Sequence, residues 1–149
     1  MAAFNALYTN KKGLQDKFVS YWDHVSARFA SNPYVVGYDP LNEPWGAFSR
    51  DPKNLIPGHM DKNVLAPLYA RVFEKYQTNS ASQQMWFEPP QFPDYVGGMG
   101  MEHVFGVGFE TPPGGEIGSN RHVLNDHTYC CELGGDTCAT GEPKEELGP

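Results

Sequence analysis

Two amphipathic stretches of helical period, separated by short apolar runs that end in polar residues, restrict most severely what this chain can fold into. Residues 13 to 30, GLQDKFVSYWDHVSARFA, put Leu14, Phe18, Tyr21, Trp22, Val25 and Phe29 at steps of three and four, which lines one helix face. Asn32-Pro33 stops that helix, because proline cannot continue it and restricts the residue before it. Residues 34 to 41, YVVGYDPL, carry β-branched and aromatic side chains on both parities, the pattern of a strand buried on both faces. After a Pro- and Gly-rich loop over 45 to 60, Val64, Leu65, Leu68, Tyr69, Val72, Phe73 and Tyr76 return to helical spacing. Asp61 is placed to cap this second helix, and Pro67 to bend its early turns. QMWFE, residues 84 to 88, is the next strand, ended by Pro89-Pro90, and HVLNDHTYC, residues 122 to 130, the third, with Asn125 and Asp126 against it. Residues 91 to 121 show no sustained period and read as a long loop.

Helix, strand, helix, strand, loop, strand is the alternation of an α/β fold with a parallel sheet covered by helices. Glu43 and Glu88 are 45 residues apart and Glu88 and His127 are 39 apart. Each interval holds one β/α unit at the roughly 31 residues that eight units in about 250 residues imply, plus loop insertions. The chain thus reads as consecutive staves of a (β/α)8 barrel, in which groups at the C-terminal ends of strands face one rim, so Glu43, Glu88 and His127 are expected to converge. An open doubly wound sheet is the rival, but no G-x-G-x-x-G or P-loop supports a nucleotide site. GGMG and PPGG are turn chemistry, since neither opens a helix after a strand.

Charge removes further classes. The formal charge is -7, which argues against nucleic acid as a partner because phosphates demand a basic footprint. Residues 1 to 75 hold nine basic and seven acidic side chains, residues 76 to 149 two and eleven, so the acidity belongs to the second half, as a soluble face or a carboxylate-lined site. Eighteen consecutive apolar residues occur nowhere, and the start lacks a basic segment followed by an apolar run, so neither a membrane span nor a signal peptide is read. The three cysteines, Cys130, Cys131 and Cys138, match no zinc spacing. In an oxidising compartment a disulfide from Cys138 to Cys130 or to Cys131 would leave one thiol unpaired.

Asn42-Glu43-Pro44 is the sharpest chemical feature. Glycoside hydrolysis uses two carboxyl groups flanking the scissile bond, and a strand ending in an Asn-Glu pair can hold one of them rigidly at a sugar. Trp45 and Trp86 could stack on sugar rings, although burial is the commoner fate of tryptophan. His59 and Asp61, beyond this motif, serve as helix-capping candidates.

The stretch ALYTNKKGLQDKFVSYWDHVSARFASNPYVVGYDPLNEPWGAF resembles the region around the acid/base glutamate of glycoside hydrolase family 5, and most of all its endoglycosylceramidase branch. LAPLYARVFEKY, WFEPP, GVGFETPPGG and VLNDHTYCCELGG follow in the order of that branch, so the resemblance covers most of residues 6 to 138. It implies a segment of a TIM barrel, strands four to six: residues 1–33 before strand four, 34–46 that strand and its acid/base loop, 47–90 a helix and strand five, 91–131 the long loop and strand six, and 132–149 a polar tail.

The resemblance also implies roles. Glu43 would be the general acid/base of a retaining mechanism, protonated at the working pH, and Asn42 would bond the sugar 2-hydroxyl. His127 and Tyr129 would orient the nucleophile and touch the sugar, with Glu88 lining the same pocket; Trp45 is a substrate-binding candidate on its aromatic chemistry alone. The family's nucleophile ends the seventh strand, and no Glu in an apolar strand context follows His127, so the isolated chain is expected to be inactive. The expected substrate is a glycosphingolipid, cut between oligosaccharide and ceramide, with transient contact at a membrane surface, a secreted or lumenal location and no cofactor. Two alternatives stay open: a family 5 hydrolase of soluble β-glucans, and a non-catalytic glycolipid- or sugar-binding protein.

Overall fold

A computed structural model describes residues 2–46, 51–80, 82–90 and 108–127. Within them the chain forms α1 (Ala2–Tyr8), α2 (Leu14–Phe29), β1 (Gly37–Tyr38), α3 (Ala66–Tyr76), β2 (Gln84–Phe87) and β3 (His122–Leu124). The three strands make one parallel sheet in the order β1-β2-β3. Gly37 stands opposite Gln84 and Met85 opposite His122, so all three strands point their C-terminal ends the same way.

The helices form where the apolar period places them. α3 buries Leu68, Tyr69, Val72, Phe73 and Tyr76, all under 5% exposed, and the last four share one core cluster with the sheet residues Tyr38, Met85 and Phe87. α2 lies beside α3 and contributes Val19, with Phe18, Trp22 and Val25 half-buried against the same core. Ser26 is fully buried on α2, and its small side chain lets Asn79 reach in: Asn79 Nδ2 donates to Ser26 Oγ at 3.0 Å and to Asp23 Oδ1 at 2.8 Å. The loop before β3 is locked to the sheet by Arg121, whose guanidinium donates to the carbonyls of Gln83 (2.9 Å) and Ser80 (2.8 Å) and lies 5.6 Å from the Phe73 ring centroid. β1 and β2 approach so closely that a Cβ on Gly37 would stand 2.3 Å from the Gln84 carbonyl oxygen.

Several sequence expectations need correction. β1 covers only Gly37–Tyr38 of the expected run 34–41, and that run is not buried on both faces: Tyr34 is 92% and Val36 68% exposed. Tyr34 and Val36 precede β1, in a turn and the coil after it, whereas Tyr38 within the strand is buried. Asp61 does not cap the second helix. It lies in a single π-helical turn, Asp61–Leu65, that runs into α3, and its buried carboxylate accepts the Gly108 N–H at 2.7 Å. Pro67 lies in the first turn of α3, directly after that π-helical turn, in a segment that is helical on both sides of it. α1 had no reading of its own in the sequence, and β3 ends at Leu124, although the Asn125 N–H still donates to the Phe87 carbonyl of β2 at 2.9 Å.

Candidate active site

Parallel strands bring the polar residues that follow them to one end of the sheet. Glu88 directly follows β2, Asp39 and Glu43 follow β1, and Asn125 and His127 follow β3. The three groups expected to converge do so. His127 Nδ1 lies 3.1 Å from Glu43 Oε1, and His127 Nε2 lies 3.2 Å from Glu88 Oε1. The imidazole therefore bridges two carboxyl groups that are 45 residues apart in the chain.

Glu88 is the buried hub. It is 1% exposed, and its Oε2 accepts the Glu43 backbone N–H at 2.5 Å. Asn125 Nδ2 donates to Glu88 Oε1 at 3.0 Å and to Asp39 Oδ2 at 2.8 Å, tying the two acids together. The Glu88 backbone is held from the helix side, where the hydroxyl of the buried Tyr69 accepts the Glu88 N–H (3.3 Å) and lies 3.2 Å from its carbonyl oxygen. Burial, and then the neighbouring Asp39 carboxyl, push the Glu88 acid up to about 7, against the opposing pull of the Glu43 N–H and of His127. The bond to Glu43 raises His127 above its ordinary value, with Glu88 and Asp39 adding to it and partial burial opposing it. The ring stands between the two carboxyl groups, with Nδ1 towards Glu43 and Nε2 towards Glu88 and Asn125.

Glu43 has φ of 47°, a left-handed conformation rare for a residue with a Cβ. Its side chain is 37% exposed, open enough to meet a ligand yet oriented by His127. Asn42 is exposed beside it. Trp45 is half-buried, and its carbonyl accepts the Tyr8 hydroxyl at 2.9 Å, so α1 anchors the loop after Glu43. Glu88, at the end of its strand, is buried rather than turned to solvent. Tyr129, Cys130, Cys131 and Cys138 lie outside the described residues.

Sequence reasoning missed Asp39, Asn125 and Tyr69 as parts of this network. Asn125 left a signal, since it interrupts an otherwise apolar run at a strand end. Asp39 gave a weaker one inside YDPL, and Tyr69 none, because it falls on the apolar stripe of α3. Among the described residues no group of three or more His, Cys, Asp or Glu side chains is arranged to hold a metal ion. A cavity of 380 Å³ lined by Asn32, Pro33, Val36 and Gln84 lies at the opposite end of the sheet and contains no titratable side chain. No helix among the described residues is long and apolar enough to cross a membrane.

The chain is similar in sequence to proteins named endoglycoceramidase. It is 35% identical to one from Cyanea nozakii over 129 residues, which is 86% of this chain and 24% of that protein. It is 34% identical to one from Hydra vulgaris over 128 residues, 85% of this chain and 23% of that protein. The chain thus spans about a quarter of the length of the curated relatives it matches. No family model matches the sequence. Among solved structures, the lactosyl–enzyme intermediate of endo-glycoceramidase II from Rhodococcus sp. superposes with a TM-score of 0.63 at 22% identity, covering 85% of this chain and 27% of that one. Its ganglioside GM3 complex gives 0.63 at 23%, covering 86% and 26%.

Proposed function

We propose, for a chain homologous over most of its length to endoglycoceramidases, that it is the acid/base segment of a retaining glycoside hydrolase that separates oligosaccharide from ceramide in glycosphingolipids. The observation that carries this reading is the placement of Glu43, in an Asn-Glu-Pro motif at the C-terminal end of a parallel strand, against His127 from a strand two positions away. The three strands take positions four to six of a (β/α)8 barrel, whose catalytic rim is the end of the sheet where Asp39, Glu43, Glu88 and His127 meet.

In this reading the Glu43 carboxyl gives its proton to the glycosidic oxygen as the bond to ceramide breaks, and the resulting carboxylate then takes a proton from the water that attacks the glycosyl–enzyme ester. Asn42, exposed next to it, bonds the sugar 2-hydroxyl. His127 limits the rotamers of Glu43. Retention requires a second carboxylate about 5 to 5.5 Å away as nucleophile. Glu88 does not fill that role, because its two oxygens are already committed to Glu43 N–H, His127 and Asn125 at 1% exposure. The nucleophile belongs to a further strand, so the 149 residues on their own do not turn over substrate. One of the structural neighbours is a lactosyl–enzyme intermediate, the species such a mechanism passes through. A secreted or lumenal location fits the three clustered cysteines.

The test is release of oligosaccharide from a fluorescent glycosphingolipid by a polypeptide that joins this segment to the rest of the barrel. Glu43→Gln is expected to remove nearly all of it, and an unaffected rate would sink the assignment of Glu43. Comparing lactosylceramide with soluble cello-oligosaccharides separates the glycolipid reading from a β-glucanase.

A further inference from the structure

We propose that Glu88 is a positioning residue for the acid/base glutamate: from its buried place after β2 it holds Glu43 in a left-handed turn and aims His127 at the Glu43 carboxyl. Asn125 and Asp39 in turn hold Glu88. The inference rests on the reading of Glu43 as the acid/base, and gives a specific task to a carboxyl which that chemistry does not consume.

The backbone of Glu43 is the starting point. A φ of 47° costs free energy in any residue with a Cβ, and it persists only where the surroundings over-determine it. Here the compensation is visible: the Glu43 N–H, turned inward by that φ, donates to Glu88 Oε2 at 2.5 Å. The second Glu88 oxygen receives Asn125 Nδ2 at 3.0 Å and stands 3.2 Å from His127 Nε2. The other imidazole nitrogen faces Glu43 Oε1 at 3.1 Å. One buried carboxyl thus fixes both the backbone and, through the ring, the side chain of Glu43.

This task requires two acceptor oxygens. A glutamine at position 88 has one oxygen and one NH2, so it must either turn a donor towards the Glu43 N–H or turn a donor towards Asn125 Nδ2. No orientation satisfies both. The groups facing Glu88 are Asp39 and Glu43 from the segment after β1, Asn125 and His127 from the segment after β3, and Tyr69 from α3. Asp39 Oδ1 is buried without a donor among the described residues, and a proton carried by Glu88 would supply one. Burial first, and Asp39 after it, keep Glu88 protonated to higher pH, which leaves the pair with one charge between them rather than two.

The experiment uses the 149-residue chain, isotopically labelled, and reads three NMR observables in the wild type, Glu88→Gln and Asp39→Asn. In Glu88→Gln the Glu43 amide is expected to exchange about tenfold faster, the loss of roughly one hydrogen bond. The amides of Leu68 to Val72 in α3 keep their wild-type rates, and the His127 ring titrates at lower pH than in the wild type. An unchanged Glu43 amide, or an unchanged His127 titration, overturns the proposal. In Asp39→Asn, a variant with nearly the same shape, the Glu88 carboxyl is expected to titrate at lower pH than in the wild type, although burial still holds it above its ordinary value. A midpoint that stays in place also overturns the proposal, even if Glu88→Gln does not fold. None of these observables requires turnover, so failure of Glu43→Gln to abolish hydrolysis in the joined barrel would refute the acid/base reading separately.

Discussion

His127 Nδ1 lies 3.1 Å from Glu43 Oε1, so a side chain from beyond the third strand holds the carboxyl that follows the first. The contact is geometric before it is electrostatic: a glutamate with three rotatable side-chain bonds is confined to rotamers that keep this bond. His127→Ala removes the restraint without touching the Glu43 backbone. In a polypeptide carrying this segment within its barrel, kcat on a fluorescent glycosphingolipid is expected to fall about 100-fold with KM changed far less. The acid limb of the pH–rate profile should also move. Wild-type kcat in the variant would refute the orienting role.

Stability should depend on pH with a definite sign. Glu88 is raised from its ordinary range to about 7 in the folded chain, so its contribution is fully present below about 4.5 and is lost as pH rises through about 7. His127 is also raised, so its contribution is present below its ordinary value near 6.5 and is lost as pH rises through its folded value. Both act in the same direction. The chain is expected to be more stable at pH 5 than at pH 8, by on the order of 1–2 kcal/mol from Glu88, with His127 adding in the same sense. Urea midpoints at the two pH values check it, and a higher midpoint at pH 8 would contradict it.

Tyr69 links the helix layer to the site. Its ring is buried in the core and its hydroxyl serves both backbone groups of Glu88, at 3.2 and 3.3 Å. Burial also pushes the phenol well above its ordinary value, so it stays neutral throughout the working range. Tyr69→Phe keeps the packing but leaves the Glu88 N–H without that acceptor. The expected cost is about 1–2 kcal/mol, read as a lower denaturant midpoint with an unchanged slope.

Gly37 has no room for a side chain. An added Cβ would meet the Gln84 carbonyl oxygen at 2.3 Å, its carbon at 3.0 Å and Trp86 Cδ1 at 3.1 Å, and the first two are backbone. Gly37→Ala is expected to push β1 away from β2, costing about 1–3 kcal/mol. Because β1 leads to Glu43, chemical shifts at Asp39 and Glu43 should move with it. A variant as stable as the wild type, with those shifts in place, would show that the strands can separate without cost.

The alternation of helical and strand-like runs made the layer order and the shared rim legible, since a 3.6-residue stripe and short apolar runs before polar ends leave few other folds. α2, α3 and β2 lie close to where the pattern places them. The expected burial of 34–41 on both faces failed because only Gly37–Tyr38 of that run enters the sheet, and Tyr34 and Val36 stay in the exposed approach to it. Asp61 misled for a related reason. An acid before a helical stripe looks like a cap, but a π-helical turn carries the chain through that position and Gly108, 47 residues away, takes the carboxylate.

By itself the sequence determined the α/β order, the amphipathic faces, the Asn-Glu-Pro motif and the similarity to the endoglycoceramidases. These are properties of local period and of aligned residues. Tertiary structure alone decided that Glu88 is a buried hub rather than a solvent acid, that Asn125 joins it to Asp39, and that Glu43 adopts a left-handed turn. Each depends on strand register, which brings residues 37 to 86 positions apart within hydrogen-bond reach. A pKa or a strained φ follows from what surrounds a group in space, and no window of neighbouring residues contains that information.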